Sequence, residues 1–106
     1  MSEELDINRL LIKFEKSVRD INRNTINPRI PELHLEDLHP VVQMVSNARA
    51  SYLKELFDLA TICGDEKPTP EQIKKLKHLR ETYQELVEGS IALEVAIERG
   101  YLDVEH

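Results

Sequence analysis

The sequence predicts an all-α protein, an antiparallel bundle of three main helices in which the second and third form a long hairpin. Apolar residues recur at helical spacings along most of the 106 residues, and no stretch alternates with the period of two that is typical of a half-buried strand. The length suits one domain with one modest core. We therefore expect a single helical domain over residues 1–106, with helices at about residues 5–23, 36–63 and 70–99.

The first predicted helix carries its apolar residues on one stripe, with charged side chains on the opposite face. Five apolar residues follow one another at spacings of four, three, four and three: Ile7, Leu11, Phe14, Val18 and Ile21. The next segment, NTINPRIP (residues 24–31), has two prolines, which do not fit a helix interior, and asparagines, which favour turns. It is predicted to be a loop.

The ends of the second and third helices have recognisable capping residues. The second helix is predicted to end at Gly64 and the third at Gly100, because glycine takes the positive φ of a helix cap without steric cost. Thr69 and Gln72 have the spacing of a capping box, and Pro70 suits the first helical position between them. The short turn between Gly64 and Thr69 predicts that the two long helices pair as a hairpin.

The third predicted helix is longer than the first predicted helix, which therefore cannot cover its whole length. A heptad pattern continues from Leu76 to Ile97, and residues 90–97 are apolar on nearly every side. At about 1.5 Å per residue, this helix is roughly 45 Å long, against about 28 Å for the first helix. Either the helix breaks at Gly89-Ser90 and folds back, or a second copy of the chain covers the overhang. We favour a homodimer, with these partner or dimer interface residues: Leu86, Ile91, Leu93, Val95, Ile97, Tyr101 and Leu102.

The segment IPELHLEDLHPVV (residues 30–42) combines histidines with carboxylates. Glu36-x-x-His39 places a carboxylate and an imidazole on one helical face, and both are ligands of iron, manganese and zinc. The motif occurs once in the chain, so a site built from two copies requires a dimer. The candidate metal ligands are Glu36 and His39 first, with His34 and Glu32 next.

A structural interpretation competes with metal binding at this segment, and we favour it. Proline often occupies the first turn of a helix, where its missing N–H is not needed. Pro40 would then lie in the first turn of the second helix, with Asp37 or His39 at or near its N-cap.

Two further segments are weaker candidates for a site. KKLKHLR (residues 74–80) is basic, but it has no aromatic residue for base stacking, and the pairs Glu71–Lys75 and Lys77–Glu81 have the spacing of ion pairs on one helix. A solvated helix face is therefore expected. Cys63, the one cysteine, lies at a helix end near carboxylates, which disfavour a thiolate, so we interpret it as a small apolar residue.

The charge of the chain limits its partners. The net charge is −6, and residues 81–106 account for all of it, because the first 80 residues are neutral overall. An acidic chain is a poor ligand for nucleic acid, and no apolar run is long enough to span a membrane. The N-terminus lacks a signal-peptide pattern, so a cytoplasmic location is expected.

These features predict a small cytoplasmic interaction, regulatory or adaptor protein that acts through helical surfaces. It is expected to bind itself, as a homodimer, and another protein. No nucleotide-binding or hydrolase motif occurs in the sequence, so we expect neither an enzyme nor a cofactor. The alternative is a metal-binding helical bundle that uses Glu36-x-x-His39 in a dimer, with a transition metal as its cofactor.

Overall fold

The computed structural model describes residues 2–105 and contains three α-helices: α1 (Ser2–Ile26), α2 (Leu35–Cys63) and α3 (Pro70–Glu98). A 3₁₀ turn, Asn27–Arg29, follows α1, and no strand forms within the described residues. The predicted all-α fold with an α2–α3 hairpin is confirmed, while the homodimer stays a prediction. None of the described helices combines the length and the apolar character needed to cross a membrane.

The helices extend further than the periodicity predicted. Residues 24–26 continue α1 instead of opening a loop, and the chain leaves the α-helix only at the 3₁₀ turn that contains Pro28. The break considered at Gly89-Ser90 does not occur, since α3 continues through both residues. One interior glycine costs only about 1 kcal/mol relative to alanine, which the surrounding helical turns offset.

The start of α2 differs from the predicted helix cap. The helix begins at Leu35, so Pro40 lies inside it and not in the first turn, and His39 is beyond the N-cap region. Glu36 and Asp37 are the acidic residues of the first turn, where they complement the positive end of the helix dipole. Pro40 lacks the N–H that would bond the carbonyl four residues earlier, and the helix tolerates this loss near its exposed start.

The chain divides into two compact units, Glu36–Ala92 and the remainder, Met1–Leu35 with Leu93–His106. In the first of these, α2 and the greater part of α3 form the hairpin, with Val45 and Leu59 buried. The rings of Tyr52 and Tyr83 stack with centroids 6.2 Å apart.

Polar contacts of α2 and α3 add to this packing. The guanidinium of Arg49 lies over the Tyr83 ring at 5.2 Å, and its Nε donates to the tyrosine hydroxyl at 3.0 Å. Lys75 of α3 pairs with Glu55 of α2 at 3.3 Å. These contacts connect the two helices within the hairpin.

The turn between α2 and α3 has the predicted caps. Gly64 has a φ of 56°, and its N–H donates to the Ala60 carbonyl at 3.2 Å, as in a left-handed helix cap. The backbone N–H of Gln72 donates to Thr69 Oγ1 at 3.2 Å, and the backbone N–H of Thr69 donates to Gln72 Oε1 at 2.8 Å. This reciprocal pair confirms the capping box.

In the second unit, α3 ends in a Schellman motif that redirects the C-terminal segment. Gly100 has a φ of 72°, its N–H donates to the Ile97 carbonyl at 3.1 Å, and the Tyr101 N–H donates to the Ala96 carbonyl at 2.9 Å. The residues after Gly100 then run beside α1 and the segment that follows it, within the same unit.

Side chains near the end of α1 hold this C-terminal segment. Arg23 donates to the Gly100 carbonyl at 2.9 Å and forms an ion pair with Asp103. The Asn27 side chain donates to the Asp103 carboxylate at 3.2 Å and accepts the Asp103 N–H at 3.0 Å. An isolated parallel bridge then joins Leu33 to Val104.

Candidate functional site

The α1 helix presents an apolar surface that the chain leaves open. No described residue of this 25-residue helix is buried. The α1 stripe consists of the five residues predicted from the sequence, of which Val18 is partly covered. The other four are at least half exposed: Ile7 at 57%, Leu11 at 50%, Phe14 at 62% and Ile21 at 63%. A continuous exposed apolar surface on a helix is typical of a protein-binding site.

The charges of α1 are arranged unevenly along the helix. Residues 2–6 carry three carboxylates and no base, whereas residues 16–23 carry Lys16, Arg19 and Arg23 against one carboxylate, Asp20. The helix therefore has an acidic start and a basic end. This arrangement favours one orientation of a partner helix over the other.

An open groove lies at the edge of the α1 stripe, within the same unit. The groove combines apolar and charged side chains and is lined by Phe14, Glu15, Val18, Arg19, Glu98, Arg99 and Tyr101. A hydrogen bond with Arg99 lowers the pKa of Tyr101, burial acts in the opposite direction, and a hydrogen bond with Asn22 of α1 lowers this pKa further. The groove is wide open to solvent, so it is part of the same exposed face as the stripe.

The structure distributes the predicted interface residues at the end of α3 between the surface and the core. Tyr101 and Leu102 are 7% and 4% exposed, so they belong to the chain's own core and offer little surface to a partner. Ile91 is 51% exposed and remains available. The others are partly covered: Leu86, Leu93, Val95 and Ile97. More apolar side-chain surface is therefore exposed on α1 than at the end of α3.

The candidate metal ligands that lie close together in the structure are not the two that the sequence analysis ranked first. Among the described residues, Glu32, His34 and Glu105 form a group whose ligand atoms all lie within 4.8 Å of one another. His34 Nδ1 is 2.7 Å from Glu105 Oε2. Glu36 and His39 are not in this group. The sequence pointed to His34 and Glu32 as secondary candidates, but it gave no local signal for Glu105.

The basic segment of α3 is a solvated face with its own carboxylate partners. Lys77 pairs with Glu81 at 3.8 Å, as predicted, whereas Lys75 reaches Glu55 of α2 and not Glu71. Both lysines are largely exposed. The segment therefore contributes ion pairs on and between helices of the hairpin.

Cys63 is a partly covered residue at the end of α2. Its Sγ lies 3.7 Å from Gln72 Oε1, the same oxygen that accepts the Thr69 N–H. The thiol therefore contacts the capping box, and its interpretation as a small apolar residue stays a prediction.

A second exposed apolar surface lies on α2. Leu53, Leu56 and Phe57 share one side of the helix and are 45%, 47% and 72% exposed, whereas Ile62, which is 72% exposed, lies on another side. Among the described residues of α2, Val45 and Leu59 are buried. The exposed residues lie in the hairpin unit, separate from the unit that contains α1.

No protein-family model, curated protein or solved structure matches this chain. The described residues present exposed apolar helix faces, an uneven charge distribution on α1, and a cluster of imidazole and carboxylate groups.

Proposed function

We propose that this protein is a helical interaction module that self-associates through the α1 stripe and acts through its surfaces without catalysis. One observation carries the proposal: four of the five stripe residues are at least half exposed on a helix with no buried residue. Apolar side chains at heptad spacing are usually covered by another helix. A second copy of the chain supplies such a helix with the same spacing.

The exposed area of the stripe is sufficient for a reversible dimer. Covering a fully exposed Leu, Ile or Phe is worth about 1.5–3 kcal/mol, so covering the exposed half to two thirds of each of the four gives about 1–2 kcal/mol. Two copies together gain roughly 8–16 kcal/mol, against an association cost of about 4–15 kcal/mol. The two terms are of similar size, so we expect a concentration-dependent dimer and not an obligate one.

The charges on α1 favour an antiparallel arrangement of the two copies. If Leu11 packs against Phe14 of the second copy, the same register places Ile7 against Val18 and brings residues 3–6 of each helix level with residues 19–22 of the other. The acidic start of each helix then meets the basic end of the other. A parallel arrangement would place the acidic ends together, which costs energy through like-charge repulsion.

A symmetric dimer presents every remaining surface twice. Such an arrangement suits an adaptor or regulatory protein, and it is consistent with the cytoplasmic location expected from the sequence. Because the charges at the two ends of α1 are exposed, salt should weaken their attraction and therefore association.

Sedimentation equilibrium over a wide range of protein concentrations, at low and high salt, tests self-association. The expected result is a monomer–dimer equilibrium that shifts toward monomer as salt rises. A protein that stays monomeric at every concentration contradicts the proposal.

Disulfide trapping tests the orientation in a Cys63→Ser background. Ile7→Cys protein mixed with Val18→Cys protein should cross-link more readily than Ile7→Cys protein alone, because only the antiparallel arrangement brings residues 7 and 18 together. Preferential cross-linking of residue 7 to itself would show that the helices are parallel.

A further inference from the structure

Glu32, His34 and Glu105 form a cluster that is separate from the α1 stripe and that the interaction proposal does not use. Their ligand atoms, two carboxylate oxygens and one imidazole nitrogen, lie within 4.8 Å of one another. His34 and Glu105 are already in contact, with 2.7 Å between Nδ1 and Oε2. All three residues are on the surface, where an ion from solution can reach them.

Backbone pairing holds these side chains in register. The Leu33 N–H donates to the Asp103 carbonyl at 2.9 Å, and the Glu105 N–H donates to the Leu33 carbonyl at 2.8 Å. Side chains alternate along extended chains, so the residues on either side of Leu33 point the same way, opposite to Leu33 itself. In a parallel bridge, Glu105 faces the same side as His34, because Val104 pairs with Leu33.

Further contacts keep the C-terminal segment in place beside the cluster. Arg23 and Asn27 both bind the Asp103 carboxylate, two residues before Glu105. Leu33 and Val104 are partly covered, unlike the three cluster residues. The cluster is therefore positioned by the backbone and by contacts outside it. Because the fold already holds its members close together, less conformational entropy is lost when an ion binds.

We propose that Glu32, His34 and Glu105 bind one divalent first-row transition-metal ion, with Zn²⁺ as the representative. One imidazole nitrogen with two carboxylate oxygens suits zinc, manganese or iron(II), whereas Mg²⁺ and Ca²⁺ prefer oxygen ligands alone. Two carboxylates neutralise the charge of the ion. Three protein ligands leave at least one position for water, as in zinc sites that are open to solvent.

Binding requires only small local movements. Ligand atoms at about 2.0–2.2 Å from a metal are roughly 3–3.5 Å apart. The contact of His34 with Glu105 must therefore lengthen slightly, and the more distant ligand atoms must approach by about 1 Å. His34 binds through Nδ1 as the neutral imidazole with its one proton on Nε2, so the proton that Nδ1 shares with Glu105 moves to Nε2, or to solvent where Nε2 already carries a proton. Once bound, the ion links residues 32–34 to Glu105 and fastens the C-terminal segment.

Isothermal titration with Zn²⁺ tests the site, using untagged protein freed of metal with chelator. His34→Ala is compared with His39→Ala, because both histidines are exposed but only His34 belongs to the cluster. The wild type should bind one equivalent. His34→Ala should weaken binding at least tenfold, and Glu105→Gln should do likewise, whereas His39→Ala should change it less than twofold.

Thermal unfolding provides a second measurement. Zn²⁺ should raise the Tm of the wild type and of His39→Ala but not that of His34→Ala, and circular dichroism without metal checks that each variant is folded. Absence of Zn²⁺ uptake would overturn the proposal. So would equal losses in the His34 and His39 variants, which would indicate nonspecific binding or the Glu36-x-x-His39 site. The oligomeric state does not enter these comparisons, so failure here leaves the α1 proposal intact.

Discussion

Shortening Leu11 to alanine should weaken the proposed dimer about thirtyfold. The side chain is 50% exposed in the monomer, so a partner helix would cover the remaining half. Full burial of leucine is worth about 1.5–3 kcal/mol, and half of that is about 1 kcal/mol. The substitution occurs once in each copy, so the dimer loses about 2 kcal/mol, which corresponds to a roughly thirtyfold higher dissociation constant.

Sedimentation equilibrium measures this change, and Ile12→Ala is the matched control. Ile12 is the next residue of α1 and is 67% exposed, but it lies outside the stripe. Removing an equally accessible side chain there should change the dissociation constant less than about threefold if only stripe residues are covered. Equal weakening by the two substitutions, or no weakening by Leu11→Ala, would refute the reasoning. Urea unfolding of each variant checks that the monomer remains stable.

Three further predictions concern stability. Gly89→Ala should stabilise the protein by about 0.5–1 kcal/mol, whereas Gly100→Ala should destabilise it by about 1 kcal/mol. An added Cβ meets nothing within 4 Å at either site, but Gly100 has a φ of +72°, which alanine adopts only with strain. Urea unfolding measures both changes in stability, and changes of the same sign would contradict the backbone explanation. Thr69→Ala should cost about 1 kcal/mol in the same assay through loss of the helix cap, and an unchanged midpoint would argue against that role. Hydrogen bonds from Arg23 and then Asn27 hold the pKa of Asp103 below its ordinary 3.8, so the unfolded chain takes up its proton first as pH falls. The stabilisation from Asp103 is therefore complete above pH 3.8 and is lost as pH falls through the lower folded pKa; Asp103→Asn should reduce the acid-induced fall in Tm, and a variant with the wild-type slope would exclude this contribution.

The helices and their caps could be predicted because they depend on residues close together in the chain. The capping box of Thr69 and Gln72 spans four residues, and glycine at positions 64 and 100 permits a positive φ because it lacks a Cβ. Local rules were less successful at the start of α2. Pro40 indicated a first turn, but the helix had already begun at Leu35. The loss of one backbone hydrogen bond is not enough to prevent a long helix from extending past a proline near its start.

The apolar stripe of α1 was predicted as a pattern, but its exposure was not. Heptad spacing shows that Ile7, Leu11 and Phe14 share one face, because the period of a helix is set by its backbone. Which other surface covers that face depends on how the rest of the chain packs. The sequence therefore assigned the partner surface to the end of α3, where the structure shows Tyr101 and Leu102 already buried.

By itself the sequence determined the helical class, the turn between α2 and α3, and the candidate residues His34 and Glu32. Only the tertiary structure decided that Glu105 completes their cluster and that Asp103 pairs with Arg23, 80 residues earlier in the chain. No local sequence pattern predicts which residue a carboxylate near the C-terminus will contact. Its partner is chosen by backbone pairing at Leu33 and by the Schellman turn at Gly100, which together bring distant segments within hydrogen-bonding distance.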